Sequence, residues 1–410
     1  MTAHSPVLGV DFGTSNSAAG IVRDGQPHLI ALEAGEVTLP TAFFFDFDSR
    51  RTLIGRQANE ALIEGFDGRF MRALKRVLGT SLMHEPRQIL NERVTFVEVI
   101  GRFLAQIKTR AEQATGMVFS HALSGRPVHF HDDHSRDAQA QDDLRACYLA
   151  AGFDHVDFLP EPEAAAIASG TTGVGLIVDI GGGTSDFTLF EADANDVTIL
   201  ASHGLRIGGT DFDRAISIEQ VMPLLGRGAL LRKEMGAGLL PTPNAIFNDL
   251  ATWEKIPFLY CPKSRRLASE MAALAQEPGR LARLVTVLED ELGHDIAFAV
   301  ETGKIAANAP GAQAQIGLEF IEPRLQVELS AQALEAALQS YATSISAGAL
   351  ETLRMAGYAP ERVERVIYVG GSSLINLITS NMRKTLPGAE PVMSDVFTAV
   401  VNGLALASAR

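Results

Sequence analysis

Two short stretches, far apart in the chain, share one pattern and limit what it can fold into. Residues 9–17 read GVDFGTSNS, and residues 177–190 read IVDIGGGTSDFTLF. In each, an apolar run ends in an acid, Asp11 or Asp179. A glycine turn follows, then Thr14 or Thr184, then a second apolar-rich run. Short apolar runs bounded by glycine read as buried strands joined by a tight hairpin. Two copies predict a duplicated half-domain. Gly13 in one tip, and Gly181, Gly182 and Gly183 in the other, carry no side chain, so backbone N–H groups can approach an anion closely. Thr14, Ser15 and Ser17 add hydroxyl donors, and each carboxylate can accept hydrogen bonds from the waters of a metal ion. Two such tips, facing each other, would grip a metal-bound polyphosphate from both sides.

The chain has 410 residues, more than one compact core serves, so two or more lobes are expected. Apolar residues make up 46% and charged residues 20%, as in ordinary globular proteins. The net charge of −14 argues against nucleic acid or an anionic membrane as the main partner. Cys147 and Cys261 are the two cysteines and read as unbridged, which fits a reducing compartment. The opening MTAHSPVLGVDF lacks a basic stretch followed by a long apolar run, so no signal peptide is expected. No run of 18 apolar residues predicts a membrane span. A soluble cytoplasmic protein is the expectation.

In chain order, strands are expected at 17–22, 28–32 and 43–47 after the first hairpin turn, with a turn at Asp24-Gly25. Residues 58–75 read as mostly helical, and their end, RFMRALKRVLG, presents Arg69, Arg72, Lys75 and Arg76 as a basic face. An amphipathic helix is predicted at 94–114, a strand at 121–130 and a helix at 138–151. The cluster HFHDDH, residues 129–134, invites a metal reading, but it lacks supporting ligands elsewhere and reads as a polar strand end. Residues 159–170, LPEPEAAAIASG, predict a rigid loop carrying Glu161, then a helix with Glu163 in its first turn, where an acid suits the helix dipole. A strand at 197–201 and a helix at 212–221 follow. Residues 225–279, with several prolines and glycines, read as a less regular, smaller subdomain with nothing catalytic in it. A single long helix is expected over 281–307, with Glu301 and Lys304 on one face as a surface ion pair. A hairpin at 318–329, a helix at 334–355, a buried strand at 363–369 ending in Gly370-Gly371, and helices at 375–384 and 394–409 complete the reading.

Six segments, GVDFGTSNS, LKRVLG, PEPEAAAIASG, VDIGGGTSDFTLF, IGGTDFD and YVGGSS, occur in the order found in the nucleotide-binding domain of heat-shock-70 (DnaK-type) chaperones, which the chain therefore resembles. Actin, sugar kinases and exopolyphosphatases are the broader relatives. The resemblance implies an α/β actin-like ATPase fold: two ribonuclease-H-like lobes with capping subdomains around a central nucleotide cleft. Lobe I would span 1–172, with a cap at about 40–117 and completion by a C-terminal helix at about 390–410. Lobe II would span 173–389, with a cap at about 226–315. The family's hydrophobic linker and peptide-binding domain have no counterpart in these residues, so the chain looks like the truncated YegD-type relatives.

Roles follow from the resemblance, motif by motif. Asp11 and Asp179, with Glu161 through waters, would hold Mg²⁺. Asp186 would lie beside a monovalent cation such as K⁺. Lys75 would orient the attacking water, Glu161 would polarise it, and Asp179 and Thr184 would complete the catalytic set. Gly13, Thr14, Ser15, Asn16, Gly181, Gly182 and Gly183 would hold phosphates of ATP or ADP. Gly208 and Gly209 would face phosphate or ribose. Glu301, Lys304, Asn308, Gly370, Gly371 and Ser372 would line the adenosine site. Ile305 and Leu374 stand where the family has arginines, His129 where it has tyrosine, and Glu163 where it has threonine. The function implied is slow ATP hydrolysis driving a conformational switch, read by an unidentified protein partner or co-chaperone. A small-molecule kinase and an actin-like filament protein on the same fold remain open alternatives.

Overall fold

The computed structural model describes residues 6–131, 133–170, 172–193, 197–233, 237–309, 311, 313–392 and 398–409. The chain divides into two compact units, one of 1–205, 348–373 and 385–410, the other of 206–347 and 374–384.

The larger unit contains both hairpins. Val7–Phe12 pairs antiparallel with Asn16–Arg23, and Gly173–Ile180 pairs antiparallel with Ser185–Ala192. Each hairpin nucleates a sheet of the same layout. In one, the order is His155–Pro160, His121–Arg126, Val7–Phe12, Asn16–Arg23, Gln26–Leu29, with Thr38–Pro40 also paired to Asn16–Arg23. In the other, it is Val197–Leu205, Ser185–Ala192, Gly173–Ile180, Arg365–Val369, Glu390–Val392. Both sheets thus run 3-2-1-4-5 from their own opening strand, with strands 4 and 5 parallel to it. The duplication visible in the sequence is a duplication of topology. An α/β fold with two such sheets matches the expected fold class.

The opening strands are apolar on both faces because both faces are covered. Leu8, Val10 and Phe12 are fully buried. The Phe12 ring meets Phe103 edge-on at 5.9 Å, and Phe103 also meets Phe43 at 5.4 Å. Phe103 belongs to Phe96–Thr115, a helix whose start is fixed by a capping box between Thr95 and Glu98. On the other side of the sheet, the helices Glu161–Ser169 and Ala399–Ala407 cross through small residues. Gly403 has the carbonyl of Ala164 where a Cβ would sit, and Gly9 has the backbone nitrogen of Ala405 at 2.9 Å from that position. The expected start of the last helix, 394–397, lies outside the described residues.

Several expectations are corrected. Residues 58–75 are not one helix. The helix Arg56–Ile63 ends at Gly65, and Gly68–Arg72 is a strand on Ala42–Asp46. Pairing of 68–72 along the edge of Ala42–Asp46 decides the strand over helical propensity. The long helix over 281–307 is two, Pro278–Glu289 and Gly293–Ala307. Glu291 adopts a left-handed φ of 58°, and the Tyr260 hydroxyl pins the break by donating to the Glu291 carbonyl at 2.7 Å and accepting from Gly293 N–H at 2.9 Å. The less regular 225–279 contains the helices Asn244–Leu250 and Pro262–Leu274. The strand expected to reach residue 130 stops at Arg126.

The smaller unit carries those helices, the helix Gly209–Ile216 with a π-helical extension Ser217–Val221, and most of the helix Ala331–Ala356. Among the described residues no helix is long and apolar enough to cross a membrane.

Candidate active site

Gly13 and its neighbours make the tip of one hairpin, and the carbonyl of Asn16 occupies the place a Gly13 Cβ would need. Only glycine fits so tight a turn. Thr41 braces it, its N–H donating to the Ser15 carbonyl at 2.8 Å and its hydroxyl 2.9 Å from that of Ser17. The other tip closes with Gly181 N–H on the Thr184 carbonyl at 3.0 Å. These two tips meet: a Cβ on Gly182 would lie 2.9 Å from the Ser15 hydroxyl.

Asp11 and Asp179 sit at matching positions one residue before the end of each opening strand. Asp179 pairs with Asp186 across the hairpin and with Val369 on the parallel neighbour. Gly370, with φ of 76°, follows Val369 and brings its backbone beside Asp179, whose Oδ1 would stand 3.0 Å from a Cβ there. Gly371 and Ser372 begin the short helical turn after it. Asp186 donates nothing and accepts from the Thr184 hydroxyl at 3.1 Å, while Gly204 opposite leaves its carboxylate room, 2.9 Å from the missing Cβ.

Lys75 and Glu161 stand within the electrostatic reach of these acids. The Lys75 ammonium donates to Glu161 Oε1 at 2.6 Å, with the side chains only 10% and 16% exposed. Glu161 is the opening residue of its helix rather than part of a preceding loop, with Pro160 as N-cap. Lys75 lies on the short 3₁₀ helix Leu74–Val77. Two contacts to the far helix His134–Ala150 and its approach fasten the segment after it: Gly79 N–H donates to Asp143 at 2.8 Å, and the His131 Nε2 donates to the Leu78 carbonyl at 2.7 Å. Asp143 also holds His84 at 2.9 Å and Gln139 at 2.8 Å.

The charges are strongly coupled. Burial pushes the Asp11 carboxyl up to about 7, with repulsion from Glu161 adding to it and Lys75 opposing. Burial also raises Asp179 well above the carboxylate range, reinforced by Asp186, Glu161 and Asp11 and resisted by Lys75. Asp186 is pushed up to about 6, chiefly by burial, with the Thr184 hydroxyl, Lys75 and His129 pulling it down and Glu161 pushing it up. Burial alone would lower Lys75; Glu161, Asp11 and Asp179 outweigh it and hold the ammonium charged above its ordinary range. Four carboxylates thus share one close ammonium. Among the described residues no three His, Cys, Asp or Glu converge to chelate an ion directly. Carboxylate oxygens in surplus over the ammonium are a donor set of the kind that hard cations accept.

The other expected residues lie in the smaller unit. Gly208 caps Gly209–Ile216, its N–H donating to Asp211 Oδ2 at 3.0 Å. Lys304 is buried, and its ion pair is with Asp213 at 2.7 Å, not with Glu301, which is exposed. The surface pair is thereby corrected: Lys304 and Glu301 are three apart, but the helix turns Lys304 toward Gly209–Ile216. Asn308 ties the end of its helix to the next segment, donating to the Leu374 carbonyl at 3.0 Å and accepting from Asn376 N–H at 2.8 Å.

The HFHDDH cluster does not gather. His131 serves the Leu78 carbonyl, Asp133 caps the following helix by accepting from Arg136 N–H at 2.9 Å, and Asp132 lies outside the described residues. Sequence reasoning missed Asp143, which carries no motif, and Arg76, which it placed on a solvated basic face. Arg76 packs its guanidinium against Gly183.

Residues 7–222, just over half the chain, match the family model described as Hsp70 protein. The chain belongs to the Hsp70 family. Curated relatives in that family include the chaperone protein DnaK of Thermoplasma acidophilum, 32% identical over 222 residues that make up 52% of this chain and 34% of the relative. The DnaK of Thermoplasma volcanium is 32% identical over 223 residues, 52% of this chain and 35% of that protein. The DnaK of Metamycoplasma hominis is 29% identical over 225 residues, 52% of this chain and 36% of that protein. The alignment therefore spans about a third of these Hsp70 relatives' length. The family-model match includes both hairpins, Lys75 and Glu161, and it stops before Glu301, Lys304 and Gly370.

Proposed function

We propose that this Hsp70-family chain binds ATP with Mg²⁺ and hydrolyses it slowly, as a conformational switch read by a protein partner. The observation that carries the reading is the pair of acid-tipped hairpins, with the Ser15 hydroxyl against Gly182, converging on the Lys75–Glu161 pair.

Gly13, Thr14, Ser15, Asn16 and the turn at 181–183 are assigned to the phosphates, through backbone N–H and hydroxyl donors. Asp11, Asp179 and Glu161 would hold a Mg²⁺ through its waters, and Asp186 a monovalent cation such as K⁺. When bound, Mg²⁺ would neutralise charge on the phosphate oxygens. The chain's own groups do the rest. Lys75 is assigned to orienting the attacking water, Glu161 to accepting a hydrogen bond from it, and Thr184 to holding the phosphate end beside Asp186. Gly208, Gly209, Glu301, Lys304, Asn308, Gly370, Gly371 and Ser372 are assigned to the nucleoside by motif position. Lobes at 1–172, completed by the C-terminal helix, and 173–389, with caps at about 40–117 and 226–315, are the proposed moving parts. Co-chaperones or client proteins are the partner class, and a soluble, cytoplasmic setting fits the acidic charge.

Single-turnover hydrolysis of Mg²⁺-ATP by the full chain tests the proposal. The parent should turn over ATP without any acceptor molecule, and Lys75→Ala should slow it by about 100-fold or more. Equal rates in parent and variant would defeat the assignment. Phosphorylation of a small molecule faster than background hydrolysis would favour the kinase alternative instead.

A further inference from the structure

We infer that Arg76 is a second cationic contact for the terminal phosphate, delivered by the same short helix that delivers Lys75. The inference rests on the reading that the glycine turn at 181–184 receives phosphate.

The geometry is local and specific. The guanidinium of Arg76 occupies the space that a side chain on Gly183 would fill. The neighbouring residue of that turn, Gly182, faces the Ser15 hydroxyl of the other hairpin. An arginine fork therefore lies at the place where the two tips meet. Lys75 and Arg76 are successive residues of Leu74–Val77. A 3₁₀ helix has three residues per turn, so neighbours diverge by about 120°. One side chain goes to Glu161 and the other to Gly183. The helix cannot drift, because Gly79 and Leu78 just beyond it are bound to Asp143 and His131.

The two cations have different surroundings. Lys75 is enclosed by carboxylates and its charge is answered by Glu161. Arg76 is exposed, and its guanidinium lies against Gly183 of the glycine turn. A planar fork with several donors matches a phosphate's oxygens better than a point ammonium does. A phosphate seated on the turn would thus meet backbone N–H groups on one side and the guanidinium on the other. In hydrolysis, a water oxygen bonds to the γ-phosphorus while the bond from that phosphorus to the β–γ bridging oxygen breaks. The electron pair stays on the ADP oxygen, and the water's proton leaves through Glu161 to solvent. Arg76 would stabilise the charge carried by the transferring group and would contribute more to ATP than to ADP, which lacks that group.

The test uses the full chain with Mg²⁺-ATP and Mg²⁺-ADP, comparing parent, Arg76→Ala and Arg76→Lys by calorimetric titration and single-turnover hydrolysis. Arg76→Ala is expected to weaken ATP by about tenfold or more, leave ADP within about twofold, and slow hydrolysis about 100-fold. Arg76→Lys should recover part of the ATP affinity and little of the rate. Equal loss for both nucleotides, or an unchanged rate, would overturn the inference. A parent that binds ATP and ignores the Arg76 substitutions would sink this inference alone. A parent that binds neither nucleotide would sink the proposed function with it.

Discussion

Replacing Lys75 with methionine keeps the length and apolar stem of the side chain and removes only its charge. Around it stand Glu161, hydrogen-bonded at 2.6 Å, and Asp11 and Asp179, whose charges also act on it. Two unit charges about 4 Å apart interact by about 4 kcal/mol at an effective dielectric of 20. Desolvation offsets part of that, but the ammonium is already buried in the folded chain, so its removal takes from Glu161, Asp11 and Asp179 the cation that offsets them. Loss of one partner of a buried pair costs about 3–5 kcal/mol. Because both side chains retain some exposure, the lower end, about 3 kcal/mol, is expected at pH 8. The loss must depend on pH. Lys75 is raised in the folded state, so its own contribution is present across the neutral range and would fade only in strong alkali. The acids it offsets are raised as well, Asp11 to about 7 and Asp186 to about 6. Below those values they take up protons and no longer need the ammonium. At pH 5 the penalty should therefore shrink to about 1 kcal/mol. Urea unfolding at pH 5 and pH 8, without nucleotide or Mg²⁺, reads both values. A cycle with Glu161→Gln should return a coupling of about 2 kcal/mol at pH 8. A penalty equal at the two pH values, or a coupling within about 0.5 kcal/mol of zero, would refute the electrostatic argument.

Other consequences follow from the same geometry. Mg²⁺-ATP in 100-fold excess over its dissociation constant should stabilise the chain by about 2.7 kcal/mol, seen as a rise in melting temperature that Asp11→Asn together with Asp179→Asn abolishes. Since a bound cation favours the ionised acids, Mg²⁺ affinity should rise from pH 5.5 to 8 with release of protons; titration heats that do not differ between buffers of unlike ionisation enthalpy would contradict this. Asp143→Ala leaves the Gly79 N–H without its buried acceptor, so unfolding free energy should fall by about 2 kcal/mol, and hydrolysis should slow because the Lys75 segment loses its anchor. Gly403→Ala puts a methyl group into the Ala164 carbonyl and should cost about 2–3 kcal/mol in urea unfolding, unlike Gly388→Ala, whose Cβ would meet open space.

The elements legible in the sequence are those whose cause is local. Strand, acid, glycine and threonine lie next to one another, so both hairpins could be read without any tertiary knowledge. The helix over 94–114 was legible because Val97, Ile100, Leu104 and Ile107 recur at helical spacing. What stayed hidden depends on distant partners. Residues 69–72 become a strand because the edge of Ala42–Asp46 is there to pair with. The helix over 281–307 breaks because Tyr260, 31 residues before Glu291, bonds the backbone on both sides of the break. Lys304 turns from Glu301 to Asp213, a residue far back in the chain. At the candidate site, Asp11, Lys75, Glu161 and Asp179 lie within electrostatic reach of one another, whereas Arg76 was hidden by three neighbouring basic residues and Asp143 by an ordinary helical context.

The symmetry of the two sheets explains why the acids gather at all. In a 3-2-1-4-5 sheet the opening strand is central, with a hairpin partner on one side and a parallel strand on the other. Its C-terminal end is where the chain must turn sharply, and a glycine there leaves N–H groups unhindered. Duplicating that sheet within one unit duplicates the acid one residue before the end, so like charges are brought toward each other by topology rather than by attraction. The folded chain bears the cost: carboxyls with raised pKa hold protons that the unfolded chain would release, so between about pH 4 and pH 7 this set lowers stability as pH rises. Lys75 offsets only part of it, and the rest requires a rigid frame, which the buried strands, the Ser17–Thr41 brace and the close helix crossing at Gly403 supply. A cluster kept at such cost has unspent affinity for cations. That surplus is the physical reason for proposing a metal-bound polyphosphate, whose cation would answer the carboxylates while its anionic oxygens would meet the N–H groups, the hydroxyls and Arg76.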